Sequence, residues 1–241
     1  MRSIKFLLLA LVLSLPAWGQ SVVNNNASCS STPCSVAAAT SGNFLAGCFY
    51  NRNGTATTIS SLSQTNVTWT FVDRVQATNV NLEIWWGKAT GAGGTSVTIT
   101  WGTGTSILSQ ITEFSGVDTT SPVDGTAAKN NGSSTTASSG TYTSANANDL
   151  LFHCVGSATN TAASAPTNSF NLLQGFNFGN SGTARAIGDA YRTVTSATSY
   201  TTALTVGNAA WGSVLIGFKA SGAPSTSIKD LIGRGLIPVA R

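Results

Sequence analysis

From residue 43 onward, apolar and polar side chains alternate with a period of two, and short clusters of Gly, Asn, Ser and Pro interrupt the runs. That period puts successive side chains on opposite faces of an extended chain, so the runs predict strands. They fall at 43–51, 57–64, 68–77, 80–88, 96–101, 106–114 and 149–157. Residues 80–116 show the faces most clearly, with Leu82, Ile84 and Trp86 on one and Val97, Ile99 and Trp101 on another. Gly91, Gly93 and Gly94 stand between them, which reads as a hairpin with a flexible loop. The polar run 130–140 reads as turn. Helical spacing is confined to Ile228, Leu231, Ile232 and Leu236, after a linker at 221–227, and Gly233, Gly235 and Pro238 weaken it. The pattern predicts an all-β chain whose segment 221–241 is a linker and frayed tail, with a docking or sorting element as the functional alternative.

The pattern also occurs twice. Asn43-Phe44-Leu45-Ala46-Gly47-Cys48 and Asp149-Leu150-Leu151-Phe152-His153-Cys154 open two comparable stretches, about 43–116 and 149–222. Trp86 then matches Tyr191, Ile99 matches Leu204 and Phe114 matches Phe218, in the same order and at an offset of about 105 residues. An internal duplication that builds one double-sheet, jelly-roll-like sandwich over 20–220 accounts for this, with equivalent strands side by side about a pseudo-two-fold axis. Two tandem sandwiches of roughly 100 residues each are the other arrangement. Cys48 shares strand parity with Phe44 and Ala46, and Cys154 with Leu150 and Phe152, so both thiols are expected in a core.

The start of the chain carries Arg2 and Lys5, an apolar run at 6–15, and small residues Ala17 and Gly19. This is the pattern of a secretory signal peptide over 1–19, cleaved after Gly19. The apolar run is shorter than the roughly 20 residues of a membrane span, and no later run approaches that length. Export to an oxidising compartment turns Cys29, Cys34, Cys48 and Cys154 into disulfide candidates with three pairings on paper. Cys29 and Cys34 flank the turn-like Ser-Ser-Thr-Pro and are the expected local bridge, which leaves Cys48 for Cys154. His153 is the one histidine, so no metal site is expected.

Composition sharpens the class. Hydrophobic residues make up 41% of the 241 positions and charged ones only 8%, enough for a core but leaving a weakly charged surface. The net charge of +4 would point to nucleic acid if it were spread along the body. It is not: Arg2 and Lys5 carry half of it, and Lys229, Asp230, Arg234 and Arg241 carry the rest. A neutral body has no phosphate-tracking groove, so no nucleic acid partner is expected.

With few carboxylates, acid–base chemistry has one leading pair, Glu83 and Glu113. Retaining glycosidases hold two carboxyl groups about 5 to 5.5 Å apart across a sugar cleft, and inverting ones hold them farther apart. Glu83 has the parity of Trp85, which places it beside an aromatic sugar platform and makes Trp85 and Glu83 the candidate ligand-binding residues. Residues 82–87, Leu-Glu-Ile-Trp-Trp-Gly, resemble the nucleophile strand of jelly-roll endoglucanases. Against catalysis, no acid–base motif accompanies that strand, no G-x-S-x-G occurs, and His153 sits between Phe152 and Cys154 in an apolar run. Asp118 and Asp124 flank Thr-Thr-Ser-Pro-Val, where an Asx-rich turn is favoured over a calcium loop. Trp69, Trp86, Trp101 and Trp211 read as sandwich filling, and Arg52, Arg74, Lys88, Arg185 and Arg192 as solvated rim charges.

The segments ITEFSGVDTTSPVDG, NFLAGCFYN and ANDLLFHCV resemble secreted β-sandwich proteins of environmental bacteria and related β-rich phage or surface proteins. That resemblance implies a fold and no catalytic residues. The expected function is a secreted, non-enzymatic binding or surface-structural sandwich that needs no cofactor and engages glycan or protein partners at the cell surface. The alternatives are a secreted glycoside hydrolase using Glu83 and Glu113, and a self-assembling fibre or surface-layer subunit, a homo-oligomer.

Overall fold

The computed structural model describes residues 19–180 and 182–222. All but the last residue of the segment 1–19, expected to be a signal peptide, and most of the 221–241 tail lie outside the described residues. In chain order the strands are β1 (Ser21–Cys29), β2 (Cys34–Ser35), β3 (Phe44–Asn51), β4 (Ile59–Ser63), β5 (Val67–Ala77), β6 (Val80–Ala89), β7 (Ser96–Trp101) and β8 (Ile107–Ser115). They continue as β9 (Val123–Ser138), β10 (Tyr142–Thr143), β11 (Asp149–Ser157), β12 (Asn171–Phe178), β13 (Arg185–Thr193), β14 (Ser199–Tyr200) and β15 (Ala203–Lys219). The described residues contain no helix, as the alternating pattern predicts.

Two five-stranded antiparallel sheets, β1-β8-β3-β6-β5 and β12-β13-β11-β15-β9, pack face to face. A three-stranded sheet, β2-β7-β4, covers the outer face of the first, while β10 pairs with β14 as a short ribbon. Central strands buried on both faces need apolar side chains at nearly every position. Thus β3 (FLAGCFYN) and β11 (DLLFHCVGS) are buried throughout, whereas β7, covered on one face, alternates buried and exposed residues. Between the large sheets lie Phe44, Cys48, Leu82, Ile84, Phe152, Val214 and Phe218, with the Phe44 and Phe218 rings 4.7 Å apart. On the outer face of the first sheet, Leu45, Phe49 and Ile111 meet Ile59, Val97, Ile99 and Trp101. Gly156 permits the close approach at one end of the sandwich, because a Cβ there would stand 2.6 Å from the Tyr50 ring.

Both disulfides form, Cys29 with Cys34 and Cys48 with Cys154. The second joins the central strands of the two large sheets, and such bridges fit an extracellular protein. Among the described residues no helix is long and apolar enough to cross a membrane.

Three expectations are corrected. The strands at 80–88 and 96–101 do not form a hairpin: β6 pairs with β3 and β5, while β7 pairs with β2 and β4 in another layer. The glycine-rich connection is anchored, with the Gly93 and Gly94 N–H groups donating to the carbonyls of Ala39 and Thr65. The polar run 130–140 is mostly strand, because β9 is an edge strand with exposed positions and carries no apolar signal. β3 and β11, which open the two comparable stretches, stand face to face across the core, linked by Cys48–Cys154, instead of side by side.

Candidate binding site

β5 is the free edge of the first large sheet, and its register against β6 sets Phe71 opposite Trp85 and Arg74 opposite Glu83. A bulge between Phe71 and Asp73 shifts the parity of β5, so Phe71 and Arg74 project on the same face as Glu83 and Trp85. The four side chains close a ring of contacts. Trp85 Nε1 donates to Glu83 Oε2 at 2.7 Å, Arg74 Nη1 lies 3.6 Å from Glu83 Oε1, and the Arg74 guanidinium lies 4.5 Å from the centre of the Phe71 ring. Phe71 meets Trp85 edge to face with centroids 5.5 Å apart. Glu83 is buried and also accepts from the Ile59 N–H of β4 at 3.2 Å, whereas Phe71 is 36% exposed and Trp85 half-buried. Burial raises the Glu83 pKa above the ordinary carboxylate value, against the lowering from Trp85, Arg74 and the Ile59 N–H. Its chemistry is that of an anchor that fixes the Trp85 indole, and Phe71 is the partner that sequence reading missed.

Glu113 is placed elsewhere. Its side chain is fully buried and accepts from Asn43 Nδ2 at 2.6 Å, Thr40 N at 2.8 Å and Asn24 Nδ2 at 2.9 Å. Desolvation pushes its pKa up, but these hydrogen bonds outweigh it and hold the group below the ordinary value. Glu83 and Glu113 share a sheet face, level with Phe49 and Leu45 on the strand between them. Two strand spacings of about 4.8 Å and four residues at about 3.3 Å each put their main chains roughly 16 Å apart. The structure does not bring this pair together at the spacing of glycosidase carboxylates. Glu113 instead ties the 40–43 turn to β8 and β1. Glu113→Ala would leave those donors unanswered and is expected to cost about 2 to 3 kcal/mol in urea unfolding.

The other titratable groups also serve the scaffold. His153 is buried, with Nε2 2.7 Å from Ser213 Oγ, and burial lowers its pKa to about 3, so the ring is neutral. Asp118 Oδ1 accepts from the N–H of Thr120 at 2.7 Å, an Asx turn, while Asp124 turns away to bind the 144–146 loop. No group of three or more His, Cys, Asp or Glu that would suit a metal ion occurs among the described residues. Two carboxyl groups do meet, but at Asp124 and Asp149, where the Ser144 hydroxyl reaches both at 3.3 and 2.6 Å. Strand parity shows the direction of a side chain, and it placed Glu83 beside Trp85; a loop folding back on a strand, as here, leaves no periodic trace.

Compared with known proteins, the chain matches no family model, no curated protein and no solved structure.

Proposed function

We propose that the protein is a secreted, non-enzymatic β-sandwich that binds glycans, with Trp85 and Phe71 as the stacking surface and Glu83 as the group that positions Trp85. The observation that carries this reading is the closed ring Trp85–Glu83–Arg74–Phe71, which fixes one aromatic side chain on the edge strand β5 and one on its neighbour β6 and leaves Phe71 open to solvent. Rigid aromatic surfaces lose little entropy on stacking against a sugar. The wide separation of Glu83 and Glu113, and the hydrogen bonds that occupy both, support binding over hydrolysis.

The scaffold is proposed to be two diverged copies of one jelly-roll unit. In the first half, strands one, eight, three and six adjoin in one sheet, and strands two, seven and four in the other. The second half repeats the large-sheet order as β9-β15-β11-β13-β12, and β10-β14 corresponds to β2-β7. β3 and β11 begin at Phe44 and Asp149, β6 and β13 at Val80 and Arg185, with the same spacing in both pairs. The ring of contacts belongs to one copy, because Phe71, Arg74, Glu83 and Trp85 have no like set at β12 and β13.

A glycan array followed by calorimetry on the tightest hit tests the reading. Trp85→Ala and Phe71→Ala are each expected to weaken binding about tenfold or more, equivalent to about 1.4 kcal/mol. Absence of any array hit, or hits indifferent to both substitutions, would overturn it, and release of reducing sugar would transfer support to a hydrolase.

A further inference from the structure

The outer three-stranded sheet is incomplete on one side. β4 runs beside β7 as far as Trp101, but β2 pairs only Cys34 with Val97 and Ser35 with Ser96. If β2 continued in that register, Thr32 would face Ile99 and Ser30 would face Trp101. Residues 30–33 instead form the loop closed by the Cys29–Cys34 disulfide, and a cavity of about 450 Å³ opens beside β7. Ser31, Thr32, Thr100, Trp101, Gly104 and Ile107 are among its lining residues. Its size falls within the range of small-ligand sites, about 300 to 1,000 Å³.

Three buried polar groups without a hydrogen-bond partner gather around this cavity. Trp101, on its wall, is 9% exposed, and its indole N–H is unanswered. Asn51 is fully buried; its Nδ2 donates to the Thr103 carbonyl at 2.9 Å, but its Oδ1 receives no donor. A Cβ on Gly104 would stand 3.1 Å from that oxygen, so the oxygen lies directly behind the wall. Ser109, fully buried with an unpartnered hydroxyl, shares a face of β8 with Ile107 of the lining. Buried polar groups nearly always find partners, so orphans collected at one cavity point to a group that fills it. An indole N–H needs an acceptor and an amide oxygen needs a donor; a hydroxyl supplies both.

Among the described residues, no charged side chain lines the cavity. Arg185 is not the solvated rim charge expected from sequence: it is 5% exposed, and its Nε donates to the Ile107 carbonyl at 3.1 Å. Its Nη1 and that of Arg52 donate to the carbonyls of Thr183 and Ala184, which are not part of the lining. A peptide strand added to β7 fits poorly, because Thr32 Oγ1 already accepts from the Ile99 N–H at 2.8 Å and the 30–33 loop stands in the strand's place. We infer that this cavity is a second binding site, for an uncharged saccharide. Its hydroxyls meet the Ser and Thr side chains and the unanswered polar groups, and its ring carbons meet Trp101 and Ile107. The site shares no residue with the Trp85 surface and stands whether or not that surface binds sugar.

The test is calorimetry on the secreted protein with cellotriose, chitotriose, mannotriose and maltotriose as neutral probes and trigalacturonate as the charged control. The indole N–H resonance of Trp101, assigned with Trp101→Phe, gives a local readout. At least one neutral trisaccharide is expected to bind, to shift that resonance, and to bind about tenfold more tightly than trigalacturonate. Ser31→Trp, at an exposed position of the loop, narrows the cavity without touching the core, and Trp101→Phe removes the indole donor. Each is expected to weaken binding about tenfold, while Trp85→Ala leaves it intact. The inference is overturned if no neutral trisaccharide moves the Trp101 resonance, which would leave the cavity to water alone. Trigalacturonate binding as tightly as the neutral sugars would also overturn it, as would an affinity unchanged in both Ser31→Trp and Trp101→Phe. Loss of binding in Trp85→Ala would place the sugar on the other surface and equally sink it.

Discussion

Replacing Cys48 and Cys154 together by alanine is expected to lower the stability of the fold by about 5 kcal/mol, against about 2 kcal/mol for the matching replacement of Cys29 and Cys34. The difference follows from the chain each bridge closes. The first spans 106 positions and the second 5, so opening them returns very different amounts of conformational freedom to the unfolded state. The bridge also sits where the loss is felt by both large sheets, because β3 and β11 are their central strands. At the edges, the ties between sheets are exposed or partly exposed, such as Lys129 to Asp73 at 2.9 Å and Gln20 Nε2 to the Asn148 carbonyl at 2.5 Å. Such surface contacts contribute little. Alanine is the right replacement, since both cysteines are fully buried among apolar side chains and serine would add an unanswered hydroxyl. Guanidinium unfolding of the two double variants decides the matter. Equal losses would mean that burial between the sheets, and not the long bridge, holds the halves together.

How much of this fold was legible depended on burial. Strands covered on one or both faces, such as β7 and β11, have the bounds that the apolar pattern predicted, because there the pattern is the energy. β1 (SVVNNNASC) and β9 are polar edge strands, held by main-chain pairing to β8 and β15, and main-chain pairing is indifferent to side-chain type. Pairing partners were harder still. Two adjacent strands joined by a glycine-rich link look alike whether they close a hairpin or cross between layers, and here the link crosses.

The candidate sites divide in the same way. Parity was enough to set Glu83 beside Trp85, since both lie on one strand. Phe71 reached them only through a bulge, which shifts parity by one residue and is invisible in an alternating pattern. Arg52 and Arg185 stand 133 positions apart in sequence, yet their guanidinium groups donate to the adjacent carbonyls of Ala184 and Thr183. No spacing rule anticipates a contact of that kind.

Asp124 and Asp149 show what two buried acids can do when the chain forces them together, and the expected result is a fold that becomes less stable as pH rises from 4 to 8. Asp124 is held low, at about 2: desolvation raises it, but its bonds to Asp149, to the Asn146 and Ala145 N–H groups and to the Asn146 side chain win. Asp149 is raised to about 7 by its burial and by the Asp124 charge, against the lowering from Ser144 and Lys219. The pair therefore keeps one proton where the unfolded chain would have lost both. For a carboxyl group whose folded pKa lies above its unfolded value near 3.8, the favourable contribution is complete below about pH 4 and is lost as pH climbs through 7. Asp149→Asn mimics the protonated acid at every pH. Relative to the parent it should be nearly neutral at pH 4 and more stable by about 2 to 4 kcal/mol at pH 8. Taking the difference between variant and parent removes the contributions of Asp189, also raised to about 7 by burial, and of His153, which acts with the opposite sign. Urea unfolding at four or five pH values measures that difference. A flat difference across the range would show that Asp149 titrates in the folded protein as it does in the unfolded chain, and that the proton shared with Asp124 is not there.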